Sequence, residues 1–183
     1  ITVGATAPTA ETRTIAVKTV ACHVSTAAVE GDIAVISPTN KTFGSAVDIN
    51  LRFTKTNVTY TLWITTLGVT PGTVDCPTYS NVFSPLSNIG PIGSANGTLQ
   101  FPGGTPVAGD ITAKHGVISG SMSGSVTFYD GQISLSGTQS VFGRTVVVGD
   151  SNHKPIGCCV LVMGPVGSKL DPWVVGAVTT TYV

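Results

Sequence analysis

The sequence predicts an all-β domain built as an eight-stranded sandwich or barrel. Serine, threonine, valine, isoleucine and glycine dominate the chain, and β-branched residues favour strands. Turn signals of glycine, proline and asparagine recur at short spacing along the 183 residues, which is typical of short strands joined by tight connections. No window combines the apolar period of a helix with helix caps. The length suits a single domain with a sizeable core.

Eight segments have the composition and the turn boundaries of strands. They are Thr14–Ser25, Glu30–Ser37, Ala46–Phe53, Thr59–Thr66, Gly116–Ser123, Gln132–Ser136, Arg144–Val148 and Gly157–Met163. Alternation is clearest in the third segment, where Val47, Ile49 and Leu51 are separated by Asp48 and Asn50. We therefore expect one face of this strand to lie in the core and the other to face solvent.

A long irregular segment, from about Leu67 to Thr112, follows the fourth predicted strand and contains Cys76. A connection of this length is usually functional or tied down, and Cys76 is the expected tether. Residues 1–15 and 164–183 are predicted to be extensions of a domain formed by residues 16–163. Because the C-terminal extension is apolar, with Trp173 and Tyr182 among its residues, we expect it to need a partner surface and to make the protein a homo-oligomer.

The charge balance excludes two classes of partner. Lysine and arginine number 9, aspartate and glutamate number 9, and charged residues make up only 10% of the chain. A neutral chain has no electrostatic footprint for nucleic acid or for an anionic membrane. No stretch approaches the roughly 18 consecutive apolar residues of a membrane span. Because the chain starts at Ile1 without the regions of a signal peptide, we expect it to be a mature chain.

Sequons and cysteines predict a secreted, extracellular glycoprotein. The N-glycosylation acceptors are Asn40, Asn57 and Asn96. The four cysteines are Cys22, Cys76, Cys158 and Cys159. An even cysteine count favours disulfides, with buried free thiols as the alternative. Metal binding by the cysteines is disfavoured because no C-x-x-C pair is present.

Four blocks of sequence resemble the copper/zinc superoxide dismutase family in order and in rough spacing. The blocks are Cys76 with Phe83–Leu86 (FSPL), Gly109–Ile111 (GDI), Gln132–Val148 (QISLSGTQSVFGRTVVV) and Gly157–Leu161 (GCCVL). They are similar to the family's loop cysteine with F-N-P-L, the G-D-L that ends its zinc loop, its S-L-S-G and G-R-T strands, and its A-C-G-V-I strand. The resemblance covers about Val17–Met163 and implies a Greek-key β-barrel of the superoxide dismutase type.

The resemblance also indicates which residues stand at the family's metal-binding positions. The four copper histidines, one of which bridges to zinc, fall on Trp63, Thr65, Val82 and Gly149. One zinc histidine falls on Val107, and the zinc aspartate falls on Asp110. Imidazole suits copper in both oxidation states, and tryptophan, valine and glycine offer no replacement donor. The resemblance therefore implies a pseudoenzyme with no copper or zinc cofactor and no catalytic residue.

Counting histidines leads to the same prediction. The chain has only His23, His115 and His153, which are too few for four copper ligands. The family's arginine beside copper falls at about Pro155. A surface copper site that joins His153 to Asp150 or Asp110 remains a weaker alternative, and would make the protein an atypical copper-binding superoxide dismutase.

The resemblance also implies the disulfide pairing. Cys76 and Cys158 match the intrachain disulfide of the family. Neighbouring residues of a strand point to opposite faces, so Cys159 needs another partner. Cys22 is the expected one because the first and last strands lie side by side in this fold. Arg144 matches an arginine that braces the disulfide loop through backbone carbonyls, so a structural role is expected for it.

Two non-enzymatic functions follow from these predictions. The first is a structural or self-associating role in an extracellular fluid or matrix. The second is binding of a small apolar ligand or pigment in the region of the metal positions, with Trp63 and Phe83 in the pocket. The alternative to that pocket is that these side chains simply fill the space.

Overall fold

The chain folds into two antiparallel β-sheets that enclose a common core. The structure, a computed structural model, describes residues 17–38, 44–66, 76–78, 82–85, 92–93, 99–100, 106–122 and 124–163. The strands are β1 (Val17–Ser25), β2 (Val29–Pro38), β3 (Ser45–Phe53), β4 (Thr59–Ile64), β5 (Ile92–Gly93), β6 (Leu99–Gln100), β7 (Ile118–Ser119), β8 (Val126–Asp130), β9 (Thr145–Gly149), β10 (Pro155–Val160) and β11 (Val162–Met163). A short helix, α1 (Ile111–His115), lies before β7, and a 3-10 turn spans Gly137–Gln139.

The strand order confirms the predicted all-β architecture. One sheet has the order β11-β1-β2-β3-β8, the other has the order β10-β9-β4-β7, and β5 and β6 form a separate hairpin. After the consecutive strands β1, β2 and β3, the chain crosses to the second sheet at β4 and returns to pair β8 with β3. The chain therefore passes between the two sheets, as it does in a β-sandwich or barrel.

The last predicted strand, Gly157–Met163, divides between the two sheets. Its first part belongs to β10 and pairs with β9, whereas β11 pairs with β1 through Ala21 and Val162. The buried residue Leu161 lies between the two parts. The chain therefore joins the sheets at this edge, and β1 and the end of the domain are neighbours as expected.

The core is aliphatic and lies between the sheets. In β3, Val47, Ile49 and Leu51 are buried while Asp48 and Asn50 are more exposed, which confirms the predicted alternation. Further core side chains from both sheets are Val24, Ile33, Val35, Leu62, Ile64, Val146, Val148 and Leu161. Each such side chain contributes about 1.5–3 kcal/mol relative to an exposed one.

The predicted strand Gln132–Ser136 is wrong, and β8 takes its place in the first sheet. The chain turns immediately after β8, where the Asp130 carboxylate accepts a hydrogen bond from the Gln132 amide at 2.8 Å. Further on, Ser136 N–H donates to the Ser134 hydroxyl at 3.2 Å. Short polar side chains that bond to nearby backbone compete with a sheet ladder, and here they produce a turn.

Two other predictions need correction. Among the described residues of the segment Gly116–Ser123, only the two-residue strand β7 is extended. A helix, α1, is present although none was predicted. Five residues are too few to display an apolar period, so the signal for α1 was confined to its cap. The long irregular segment also contains the β5–β6 hairpin.

Several expectations lie outside the described residues. They concern the extensions 1–15 and 164–183 and the sequons at Asn40 and Asn96. Within the described residues, no helix is both long and apolar enough to cross a membrane.

Candidate functional site

Three chain segments meet where the resemblance places the metal positions. The end of β4, the Val82–Phe83 segment and the Val107–Asp110 segment are joined by backbone hydrogen bonds. Ile64 N–H donates to the Gly109 carbonyl, Phe83 N–H to the Ile64 carbonyl and Gly109 N–H to the Phe83 carbonyl, each at 2.8 Å. A Cβ atom at Gly109 would lie 2.7 Å from the Phe83 nitrogen, so only glycine allows this close approach.

Trp63 occupies the centre of this region. Its side chain is completely buried and packs against Val82 and Val147. The half-buried residues Cys76, Val107 and Cys158 complete the cluster. Because these groups are apolar side chains and a disulfide, the cluster is a small second core beside the main one.

Gly149 leaves the space that the indole of Trp63 fills. It lies opposite Thr61 in the register of β4 and β9, two positions along from the Trp63–Val147 pair. A Cβ atom added at Gly149 would lie 2.7 Å from Cη2 of Trp63 and 2.8 Å from the Thr61 hydroxyl. The indole and any side chain at position 149 therefore exclude each other sterically.

The polar side chains of this region form hydrogen bonds with backbone groups. Thr65 is fully buried, and its N–H and hydroxyl both donate to the Thr145 carbonyl, at 2.8 Å and 3.3 Å. Asp110 is 1% exposed and is the N-cap of α1, because its carboxylate accepts a hydrogen bond from the Ala113 amide at 3.0 Å. Capping alone gives an aspartate at this position a structural role.

The turn between β9 and β10 is short and internally bonded. The Asp150 carboxylate accepts hydrogen bonds from the amides of Asn152 and Lys154, at 2.8 Å and 3.0 Å. The backbone carbonyl of Asp150 accepts a hydrogen bond from the Thr61 hydroxyl at 3.0 Å. His153 has a positive φ of 59° in this turn, and its ring centre lies 6.3 Å from that of Trp63.

The three histidines lie in separate places. His23 Nδ1 is 2.7 Å from Asp32 on the outer face of the five-stranded sheet. His115 is bonded to Asp130, and His153 lies in the β9–β10 turn. Among the residues that the structure describes, no three histidine, cysteine, aspartate or glutamate side chains are grouped so that they could hold a metal ion.

Both expected disulfides are present. Cys76–Cys158 has a Cα–Cα distance of 5.7 Å, and Cys22–Cys159 has one of 5.5 Å. Cys158 and Cys159 are neighbours on β10, so they reach opposite sides of the strand. The first bond fastens the segment before Val82 to β10, and the second fastens β1 to the same strand.

Arg144 connects the loop before β9 to the chain beyond β4. Its Nε donates to the Ser140 carbonyl at 2.7 Å, its Nη1 donates to the Thr66 carbonyl, and its guanidinium lies 3.7 Å from the centre of the Phe83 ring. Burial lowers the pKa of Arg144, but an arginine stays protonated at ordinary pH. These contacts place Arg144 as a brace between loops.

Trp63 and Phe83 belong to different clusters. Phe83 lies in the main core beneath Arg144, whereas Trp63 lies in the second core with Val82. Both side chains are buried, at 0% and 2% exposure. The structure therefore does not bring the two proposed pocket residues together around a common space.

A buried ionic cluster, which the sequence did not predict, joins α1 to the end of β8. Asp130 is 3% exposed, and its carboxylate binds Lys114 Nζ and, at 3.0 Å, His115 Nε2. Lys114 also donates to the Ala108 carbonyl at 2.6 Å, and His115 stacks on Phe128 with ring centres 4.0 Å apart. The cluster fixes α1 against β8.

The pKa values of this cluster reflect a competition between burial and pairing. Burial alone would raise the pKa of Asp130, but hydrogen bonds from Lys114 and His115, the Lys114 charge and the Gln132 amide together hold that pKa below its usual value. Burial lowers the pKa of Lys114, and the bond and charge of Asp130 offset this lowering only partly. Lysine, histidine and aspartate at these spacings match no motif, so the sequence carried no signal for the cluster.

Comparison with known proteins identifies the fold. No protein-family model and no curated protein matches the chain. Among solved structures, a single-residue variant of superoxide dismutase 5 from Candida albicans has a TM-score of 0.63 and 21% identity, with 86% of this chain and 98% of that chain covered. The Cu(II) form of the same enzyme has a TM-score of 0.63 and 21% identity, over 83% of this chain and 95% of that chain. The chain thus has an all-β fold of the superoxide dismutase type.

Proposed function

We propose that this protein is a secreted, non-enzymatic glycoprotein that uses a superoxide dismutase-type fold as a structural, self-associating scaffold in an extracellular fluid or matrix. The packing of Trp63 against Gly149 supports this proposal most directly. In a working copper site, imidazole donors would stand at these two positions. In this chain the indole of Trp63 fills the space, and Gly149, which faces it, has no side chain.

The residues at the other metal positions do not fit copper or zinc. Val82 and Val107 have no donor atom, and the Thr65 hydroxyl donates to a backbone carbonyl. Asp110 alone offers a carboxylate, and it caps α1. Copper sites in proteins use imidazole and sulfur ligands, and none of these four residues supplies one.

Two features support an extracellular location. The disulfides Cys76–Cys158 and Cys22–Cys159 join residues 82 and 137 positions apart. Such bonds persist in oxidising compartments and are rare in reducing ones. The sequons at Asn40, Asn57 and Asn96 agree with passage through a secretory pathway.

Metal content tests the non-enzymatic part of the proposal. After dialysis against copper and zinc and then against buffer, elemental mass spectrometry should find far less than one copper ion per chain. One copper ion per chain that buffer dialysis does not remove would contradict the proposal. Variants His23→Ala, His115→Ala and His153→Ala would then identify the histidine that binds it.

Exposed apolar side chains near the start of the C-terminal extension support self-association. Phe142 is 51% exposed and Met163 is 55% exposed. The two lie in neighbouring segments, because Gly143 N–H donates to the Leu161 carbonyl at 2.8 Å. We propose that a second copy of the chain binds to these two side chains and that the apolar C-terminal extension contributes to the same association.

Light scattering of the full chain at increasing concentration tests this surface. The average mass should rise, and the variant carrying Phe142→Ser and Met163→Ser should dimerise at least about tenfold more weakly, which corresponds to about 1.4 kcal/mol. Val117→Ser is a matched control, since Val117 is 56% exposed next to β7, at the opposite edge of the four-stranded sheet from β10. A chain that stays monomeric, or an equal effect of the control, would contradict this part of the proposal.

A further inference from the structure

The bend between β3 and β4 carries an N-glycosylation acceptor. Asn57 lies in this bend, and Thr59, the hydroxyl residue of its sequon, begins β4. Both side chains are exposed. The acceptor amide is therefore on the surface of the folded domain.

Contacts of Tyr60 and Gly120 fix the bend between β3 and β4. Tyr60 is 4% exposed, donates its hydroxyl to the Lys55 carbonyl at 3.0 Å, and stacks on Phe53 with ring centres 3.9 Å apart. Gly120 N–H donates to the Val58 carbonyl at 2.9 Å. A Cβ atom at Gly120 would lie 2.9 Å from Cε2 of Tyr60, so glycine is needed for this contact. Asn57 is thus exposed on a bend whose backbone is fixed by these contacts.

A shallow groove of about 600 Å³ lies beside Asn57. Uncharged residues line it, and most of them carry hydroxyl groups: Thr56, Thr59, Ser119, Ser121 and Ser151, together with Val58. The hydroxyls of Ser119 and Ser121 are 2.8 Å apart and hydrogen-bonded. Hydroxyl groups donate and accept hydrogen bonds, so this lining complements a neutral molecule that is rich in hydroxyl and amide groups.

We infer that Asn57 carries an N-linked glycan and that its first N-acetylglucosamine lies in this groove. In the attachment step, the side-chain amide nitrogen of Asn57 loses a proton and bonds to C1 of the sugar of a lipid-diphosphate-linked oligosaccharide, and the lipid diphosphate leaves. The inference rests on the secretory route proposed above. A sugar at Asn57 would cover exposed Val58 and the edge of the sheet at β7, where unpaired strand edges invite aggregation.

Glycopeptide mass spectrometry tests the attachment. The full chain is secreted from eukaryotic cells behind a supplied signal peptide, together with Thr59→Ala, which removes the sequon, and Thr59→Ser, which keeps it. Asn57 should carry glycan in the wild-type chain and in Thr59→Ser, and should carry none in Thr59→Ala. Since Thr59 is exposed at a strand end, neither change should prevent folding.

An unmodified Asn57 in the secreted wild-type chain would overturn the inference. If Asn40 or Asn96 were glycosylated in the same molecules, the proposed secreted glycoprotein would stand and only the site at Asn57 would fail. If all three sequons were unmodified, the glycoprotein part of the proposed function would fail as well. Metal content would still test the non-enzymatic part separately.

Amide NMR tests the position of the sugar. The glycan is trimmed to a single N-acetylglucosamine, and the spectrum is compared with that of the unglycosylated chain. Chemical-shift changes should appear at Ser119, Ser121 and Ser151 as well as in the bend. Changes confined to residues 56–59 would show that the sugar projects into solvent, which would overturn its placement in the groove.

Discussion

Replacing Trp63 with alanine should lower the free energy of unfolding by about 3–5 kcal/mol. The side chain is completely buried against Val82 and Val147, and neighbours held by backbone hydrogen bonds and by the Cys76–Cys158 disulfide can close the cavity only in part. Urea unfolding at neutral pH measures the loss. Tyr129→Ala is the control, because an aromatic ring that is 72% exposed should change stability by less than about 0.5 kcal/mol.

Gly149→Ala probes the same packing from the opposite side. In the wild-type background the new methyl group meets the indole of Trp63, and overpacking of this kind costs about 1–3 kcal/mol. In the Trp63→Ala background the contact with the indole is gone and only the contact with the Thr61 hydroxyl remains, so the cost should be clearly smaller. A double-mutant cycle should thus give a coupling free energy of about 1–3 kcal/mol. Additive effects would show that the indole does not occupy the space beside Gly149.

This coupling bears on how a metal site would have to be rebuilt. A histidine at position 149 needs more room than alanine does, so Gly149→His alone should destabilise the domain. The combined variant Trp63→His, Gly149→His removes the contact with the indole while adding two imidazoles. The two positions therefore act as one steric unit, which is consistent with a site filled by protein rather than left open for a ligand.

Local sequence patterns predicted strands well where one face of the strand is buried and the other is exposed to solvent. The alternation of Val47, Ile49 and Leu51 located β3, because one face of that strand packs on the core while the other faces solvent. The segment after β8 was wrongly predicted to be a strand. Its apolar residues Ile133 and Leu135 suggest a strand, but the side chains of Asp130 and Ser134 accept hydrogen bonds from nearby backbone amides and the chain turns. Helix α1 was missed because five residues carry no periodic signal.

The sequence identified individual residues of the candidate site but did not predict how they pack against one another. The motif resemblance drew attention to Trp63, Gly149 and Asp110, and strand adjacency indicated the second disulfide. The complementary fit of Trp63 and Gly149 depends on the register between β4 and β9, which no local pattern encodes. The capping role of Asp110 depends on α1, which was not predicted. Interactions between distant segments thus account for most of what the sequence did not reveal.

Asp130→Asn should also destabilise the domain strongly, by about 3–5 kcal/mol, because removing one member of a buried ion pair leaves the other charge without compensation. Asparagine keeps nearly the shape of aspartate and can still accept the hydrogen bond from the Gln132 amide. The substitution therefore tests what the negative charge of Asp130 contributes to stability. Lys114 would then keep its hydrogen bond to the Ala108 carbonyl and the attraction of the Asp110 charge, but would lose its direct ion pair. Asp48→Asn is the matched control, since Asp48 is only half-buried and accepts one hydrogen bond, from Thr127 at 3.0 Å.

The effect of Asp130 should depend on pH in a defined direction. Its folded-state pKa is held below the ordinary value, so the folded protein binds this proton more weakly than the unfolded chain does. The stabilisation is therefore fully present above about pH 4, the usual pKa range of an unfolded aspartate, and is lost as pH falls through the folded-state pKa. Urea unfolding from pH 3 to pH 7 should show a smaller acid-induced loss of stability in Asp130→Asn than in the wild-type chain.

A second substitution separates charge from shape in this cluster. If the lone buried ammonium causes the loss, then adding Lys114→Met to Asp130→Asn should recover part of the stability, because an apolar side chain of similar length needs no counter-charge. The cycle should give a coupling free energy of about 1–3 kcal/mol. No recovery would mean that the hydrogen bond from His115 to Asp130, rather than the Lys114 pair, fixes α1 against β8. In that case His115→Phe, which keeps the stacking on Phe128, should be as destabilising as Asp130→Asn.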